Sequence, residues 1–321
     1  MNVNDKITKI NLPTSFQSEG VNIFLIKGDA LTLVDAGHNL EGSWYLFKEQ
    51  LNSHGYNVKD IKQIIITHHH VDHTGLVKYF DHDVSFMGHV HCERWVNPTF
   101  TFLEDHDAFF EDFFHQLSVP DYLANPYLSF KHKHVLLHAQ RSLDYHLEEG
   151  LEIPGLPEWR VLHTFGHAQG HISLLHPKEG ILIGGDILLP NISPNPIIEP
   201  PLYSGGNRQK PQILLNETLH KLLELPIERV LPGHGKDITN PKNLIHLRLN
   251  SQHARAMKVR EWLMEESMSA FDVCRHLFPK SYKSRIGLAM FDTIGQLDYL
   301  MSRNLIQEER NTYGSKYLVS T

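Results

Sequence analysis

The chain has 321 residues, 41% of them hydrophobic and 21% charged, with a formal net charge of -7. That composition suits a soluble α/β core with a smaller appendage, and no apolar run approaches the roughly 18 residues that a membrane span needs. Cys92 and Cys274 lie far apart without CxxC spacing, which suggests neither a disulfide framework nor a thiolate zinc site, and the acidic balance disfavours a long polyanion as main partner.

The start, MNVNDKITKINLPTS, has none of the basic, apolar and small-residue features of a secretory signal, so a cytoplasmic location without a membrane partner is expected. VNIFLIKGDALTLVDAG (21–37) reads as two β-rich runs around a Gly-Asp turn, with Asp35 at the end of the second. A helix is expected over 44–54. IKQIIITHHH (61–70) contains Ile64, Ile65 and Ile66, a run that fits a buried strand with histidines at its end. After a strand at 84–87, an aromatic-rich insertion at about 95–150 breaks the α/β rhythm. Its Phe109, Phe110, Phe113, Phe114 and Leu117 share one helical face, read as a helix packed on the core, with a substrate lid as the alternative. Further strands are expected at 160–164, 172–175, 181–184 and 229–231, and LLPNISPNPIIEPP (188–201) reads as a long loop. From about Ala254 the pattern is purely helical: three helices, then the alternating LIQEERNTYGSKYLV, the order of a winged-helix module. The expected division is 1–250 as a catalytic domain and 251–321 as a winged-helix-like domain.

THHHVDHTG (67–75) puts four histidines and one aspartate into nine positions, but in a chain with 24 histidines a cluster alone means little. A regular strand cannot aim His68, Asp72 and His73 at one point, whereas a loop at a strand terminus can. Imidazole and carboxylate together suit Zn2+ and other borderline divalent ions. Three more segments offer His or Asp directly after apolar runs: HTFGHAQGH (163–171), ILIGGD (181–186) and VLPGHG (230–235). Taken with VDAG (34–37), HxHxDH at 68–73, GH at 166–167, GD at 185–186 and GHG at 233–235, the order resembles the five motifs of the metallo-β-lactamase superfamily over about residues 20–240.

The resemblance implies an α/β fold, an αββα four-layer sandwich, holding two divalent metal ions, Zn2+ with Fe or Mn as alternatives. His68, His70 and His167 are implied to hold one ion, and Asp72, His73 and His234 the second. Asp186 would bridge them, and Asp35 would orient a ligand. It also implies hydrolysis of a small-molecule acyl substrate: a metal-bridging hydroxide attacks the carbonyl, and Asp72 orients the nucleophile and takes its proton. His69 stands at the variable position between ligands, and His163 and His171 flank the third motif as structural groups. His82, His89, His91, His132, His134 and His138 have no ligand context.

Among branches, His70 stands where flavodiiron relatives carry Glu, and Asp186 and His234 are too close in sequence for a large nuclease insertion. The glyoxalase II-like group remains, which points to a small ester, thioester or lactone as substrate. A metal-dependent ribonuclease or phosphodiesterase is one alternative, and a single-iron persulfide dioxygenase using His68, His167 and Asp186 is another. The tail resembles the β-lactamase-associated winged helix of bacterial metallo-hydrolases. Residues 254–321 carry ten Lys and Arg against eight Asp and Glu, so the acidic excess lies in the catalytic part. The stretch 286–303 offers only Arg303 against Asp292 and Asp298, so the tail is read as a packing or homodimerising element and not as a DNA reader.

Overall fold

A computed structural model describes residues 6–16, 19–203, 205–311 and 314–320. Strand β1 (Ile7–Leu12) pairs antiparallel with β2 (Val21–Lys27), which turns into β3 (Leu31–Val34). The hairpin read at 21–37 is therefore present, and β1 adds a strand before it. Helix α1 (Ser43–Ser53) leads to β4 (Gln63–Ile65), the single turn α2 (Val71–Thr74) and β5 (Ser85–Gly88). Next come the short α3 (Glu93–Val96), the long α4 (Phe100–Gln116) and α5 (Asp121–Val135), and β6 (Tyr145–His146). These strands form one sheet in the order β1-β2-β3-β4-β5-β6, parallel from β3 onward.

A second sheet follows from β7 (Glu152–Ile153), β8 (Leu156–His163), β9 (Ile172–His176) and β10 (Ile181–Gly185) and, after α6 (Pro211–Leu223), β11 (Arg229–Pro232). Its order is β11-β10-β9-β8-β7, antiparallel except for the β10–β11 pair. The chain finishes with α7 (Pro241–Glu265), β12 (Met268–Ser269), α8 (Ala270–Leu277), α9 (Ile286–Ser302), β13 (Ile306–Asn311) and β14 (Gly314–Val319). The helical tail begins well before Ala254. Pro241 fits the first turn, where its missing N–H costs nothing, and the Asn240 side chain accepts the Asn243 N–H at 3.3 Å. The terminal β13–β14 pair also gains a third strand, β12, which pairs with β14.

Alternating side chains on each strand fill two faces. Phe24, Ile26, Val34 and Ile65 meet Trp159, Val161, Leu174 and Ile183 between the two sheets. On the outer side of the first sheet, Leu25, Leu33 and Ile64 pack with Phe47 and Leu51 of α1. Beyond the second sheet, Leu162, Leu175 and Leu182 pack with Leu215, Leu219 and Leu222 of α6. Burial on both faces is why these strands read as continuous apolar runs.

The aromatic face of α4 is core. Phe110, Phe113, Phe114 and Leu117 share one buried cluster with Val259 and Leu263 of α7, Val273 of α8, and Met290, Phe291 and Ile294 of α9. Among the described residues, no helix is long and apolar enough to cross a membrane.

Candidate metal centre

Strands β3 and β4 run parallel with Val34 opposite Ile65, so both release their chains on the same side, Asp35 after one and His68–His70 after the other. In the second sheet Gly185 stands opposite Pro232, which sets Asp186 beside the turn holding His234. Asn22 of β2 fastens that turn to the first sheet. Its N–H donates to Gly233 O at 2.6 Å, and its side-chain amide donates to Pro232 O and Gly235 O, each at 2.9 Å.

His68, His70, Asp72, His73, His167, Asp186 and His234 are thereby gathered into one cluster with three overlapping donor groups: His68, His70 and His167; His68, His73 and Asp186; and Asp72, His73 and His234. His68 Nε2 lies 2.9 Å from His70 Nδ1, which lies 3.1 Å from His167 Nε2. Two nitrogens about 2.05 Å from one tetrahedral ion stand about 3.3 Å apart, so this spacing fits a shared cation. Asp186 faces both halves: its Oδ1 is 3.6 Å from His73 Nε2, and its Oδ2 is 3.7 Å from His167 Nε2 and 3.3 Å from His234 Nε2. Asp72 Oδ2 is 3.4 Å from the same His234 nitrogen. His73 Nε2 and Asp186 Oδ1 are buried without a hydrogen-bond partner among the described residues. Such atoms cost about 1–3 kcal/mol each, and a cation between them would relieve that cost.

Outer hydrogen bonds turn four of the five rings inward. His68 Nδ1 lies 3.0 Å from Thr67 Oγ1, His73 Nδ1 donates to Asp35 Oδ2 at 2.8 Å, His167 Nδ1 donates to Asn195 O at 2.9 Å, and His234 Nδ1 donates to Gly20 O at 2.6 Å. Fixing one nitrogen leaves the other as the candidate ligand atom. Asp35 sits in the left-handed region with φ 61°, and its Oδ1 also accepts the Thr67 N–H at 2.7 Å. His171 Nε2 accepts the Asp186 N–H at 3.0 Å, while its Nδ1 lies 2.8 Å from Thr164 Oγ1. Two glycines give the cluster room: a Cβ on Gly233 would strike Asp186 Oδ1, and Gly185 combines φ 50° with Thr67 and His171 close by.

Burial, reinforced by neighbouring imidazoles, holds His68 and His70 well below the usual histidine range, and burial also lowers His167. These rings offer lone pairs at neutral pH. Burial also opposes charge on His73 and His234, but carboxylates win there: Asp35, Asp186 and Asp72 hold His73 well above its usual range, and Asp186 and Asp72 lift His234 to about 10. Desolvation of Asp72 and Asp186 is likewise outweighed by His73 and His234, which keep both carboxyls low. A cation held in that half would have to displace those protons.

His69 belongs to none of the donor groups and instead stacks on Trp95 with centroids 4.4 Å apart. A separate group joins His163 with His89 and Glu148, although His89 has no ligand context in the sequence. There His89 Nδ1 accepts the His91 N–H at 3.1 Å, so its other nitrogen carries the proton and is a poor ligand. Sequence reasoning missed Thr14, His38 and Asn22. Thr14 Oγ1 donates to Asp72 Oδ2 at 3.3 Å and lies 3.1 Å from His38 Nδ1.

Residues 18–234 match the family model described as "Metallo-beta-lactamase superfamily". The chain is 37% identical to the "Probable metallo-hydrolase YqjP" of Bacillus subtilis (strain 168), over 94% of each chain. Among solved structures, the metallo-beta-lactamase family protein TTHA1429 from Thermus thermophilus superposes with a TM-score of 0.80 at 24% identity, covering 98% of this chain and 99% of that one. A beta-lactamase domain protein from Burkholderia ambifaria gives the same score at 22% identity, covering 98% and 92%. The strand-end cluster of His and Asp thus stands on a fold and a sequence that agree, and the chain belongs to the metallo-beta-lactamase superfamily.

Proposed function

We propose that this protein is a dinuclear metal-dependent hydrolase of a small ester, thioester or lactone, of the glyoxalase II-like group. The observation that carries the reading is the convergence of seven His and Asp donors, with His73 Nε2 and Asp186 Oδ1 buried without a hydrogen-bond partner among the described residues. His68, His70 and His167 would hold one cation and Asp72, His73 and His234 the other, with Asp186 shared; the imidazole and carboxylate donors and the tetrahedral spacing suit Zn2+. When bound, such a pair lowers the pKa of a water and stabilises the oxyanion that develops on the attacked carbonyl.

The chain's own groups do the rest. Asp72 orients the attacking water and takes its proton, steadied by the Thr14 hydroxyl. Asp35, Asn195 O and Gly20 O keep three imidazoles aimed inward, so no reorganisation is needed during the reaction. The fold reading that goes with this is an αββα four-layer sandwich, supported by apolar clusters between the sheets and outside each of them. Residues 251–321 are read as its winged-helix-like companion. That the B. subtilis relative is named a probable metallo-hydrolase supports the same class of chemistry.

Metal analysis of protein purified without added metal, followed by a thioester, lactone and phosphodiester panel, tests the reading. Two ions per chain and turnover of an acyl substrate are expected. A single iron with oxygen uptake, or turnover of the phosphodiester alone, would overturn it.

A further inference from the structure

Along one flank of the cluster the side chains change from metal donors to rings. Asp72 accepts the Thr14 hydroxyl, Thr14 meets the buried His38, and Phe16 stacks on His38 with centroids 5.3 Å apart and planes 4° apart. Phe16 also meets His134, near the end of α5, at 5.3 Å, and His134 meets Phe130, one turn earlier, at 4.3 Å. Three segments distant in sequence, the β1–β2 loop, the turn after β3 and the insertion, so build one continuous wall.

The wall is not core. Phe16 is 45% exposed and Phe130 is 50% exposed, although both are large apolar rings. Exposed hydrophobic side chains are ordinary when scattered singly, whereas these two meet across a histidine beside the candidate reacting centre. Of the seven donors, His70 is half-buried and the other six are buried, so the cluster opens to solvent on His70. Through the contact of His134 with Phe16, the insertion reaches the flank of the cluster by Phe130 and His134 and not by the phenylalanines of α4.

We infer that Phe16, His134 and Phe130 form the subsite for an apolar acyl tail, so that the substrate carries a hydrocarbon chain in place of a short polar acid. The inference rests on the hydrolase reading above and narrows its substrate class. A tail laid along three rings leaves water progressively, and each fully covered methylene strengthens binding about fourfold. Because the wall covers one side only, part of that gain is expected.

The test compares acetohydroxamate with octanohydroxamate on the metal-loaded protein by calorimetry. Both present the same chelating head group, and they differ only in tail length. The wild-type protein is expected to prefer the longer probe by roughly tenfold or more, and Phe16→Ala with Phe130→Ala is expected to remove most of that preference. Phe16→Leu with Phe130→Leu, which keeps apolar area, should restore part of it; melting temperatures of all forms check that each is folded. A wild-type protein without the preference, or a preference that survives both alanines, overturns the subsite. Failure of either hydroxamate to bind the wild type overturns the metal-centre reading and the subsite with it, so the two failures are distinguishable.

Discussion

Replacing Asp35 by Asn isolates the role of one buried carboxylate while keeping its shape. Asn tolerates the left-handed backbone at φ 61° and retains a carbonyl oxygen for the Thr67 N–H, which Asp35 Oδ1 accepts at 2.7 Å. With that oxygen committed, the amide NH2 must face His73 Nδ1, where Asp35 Oδ2 now accepts at 2.8 Å. Two donors cannot share a hydrogen bond. The ring is then driven to the other tautomer, which moves the proton onto Nε2, the nitrogen aimed at Asp186. Turning the amide around instead sets its NH2 against the Thr67 N–H, which is no better. Loss of such an orienting partner typically costs about 10- to 100-fold in metal affinity, or about 1.4–2.8 kcal/mol. Competition against a chromophoric chelator should therefore show one of two ions weakened by that factor, with far-ultraviolet dichroism unchanged. If Asp35→Asn binds both ions with wild-type affinity, His73 is not oriented by Asp35 and the assignment of its Nε2 as a ligand atom is wrong.

Asp72→Asn should lower metal content toward one ion and reduce kcat by about 10²- to 10⁴-fold even in saturating metal, because the proton acceptor is lost; His234→Ala, the control, should recover further when metal is added. Phe114→Ala, which opens a cavity among α4, α7 and α9, should cost about 3–5 kcal/mol in urea unfolding and leave the hydroxamate tail preference intact, in contrast to Phe130→Ala. Burial pushes the Glu199 carboxyl up to about 7, so this acid takes up a proton on folding, and the folded state loses stability as pH rises from the unfolded range through 7. Glu199→Gln lacks that slope, and its melting temperature should gain on wild type between pH 5 and pH 8; a gap that does not widen refutes the assignment.

What could be read in the sequence was what residue type encodes. The Ile64–Ile66 run announces a strand buried on both faces, and the donors are legible because only a few residue types bind borderline metals. The orienting partners are a different matter. His167 and His234 are aimed by the carbonyls of Asn195 and Gly20, and any residue supplies a carbonyl. Thr14 and His38 reach the site from segments whose motif value depends on chain reversal between β1 and β3. Strand β1 left a weak signal, with Ile10 and Leu12 buried around Asn11, too brief to stand against the polar residues before it. The early start of α7 was readable in the Asn240-Pro241 pair, a cap followed by a first-turn proline.

The role of the tail follows from where α9 spends its surface. A groove-reading helix must keep one polar face free, but from Ile286 to Leu300 only Leu288 is exposed and only Asp292 half-buried. Gly287 lets α9 close on Tyr127 of α5, where a Cβ would strike the ring. Asp298, 1% exposed, receives a two-pronged contact from Arg208 at 2.7 and 2.9 Å. Arg208 ends the long segment that began at β10, the same segment whose Asn195 carbonyl aims His167 and whose Glu199 lies 3.9 Å from His69. The tail thus braces both the insertion that reaches the flank of the candidate metal cluster and the loop whose carbonyl orients His167. A helix committed on all sides to that bracing has no face left for a DNA groove, which favours the packing role for residues 251–321.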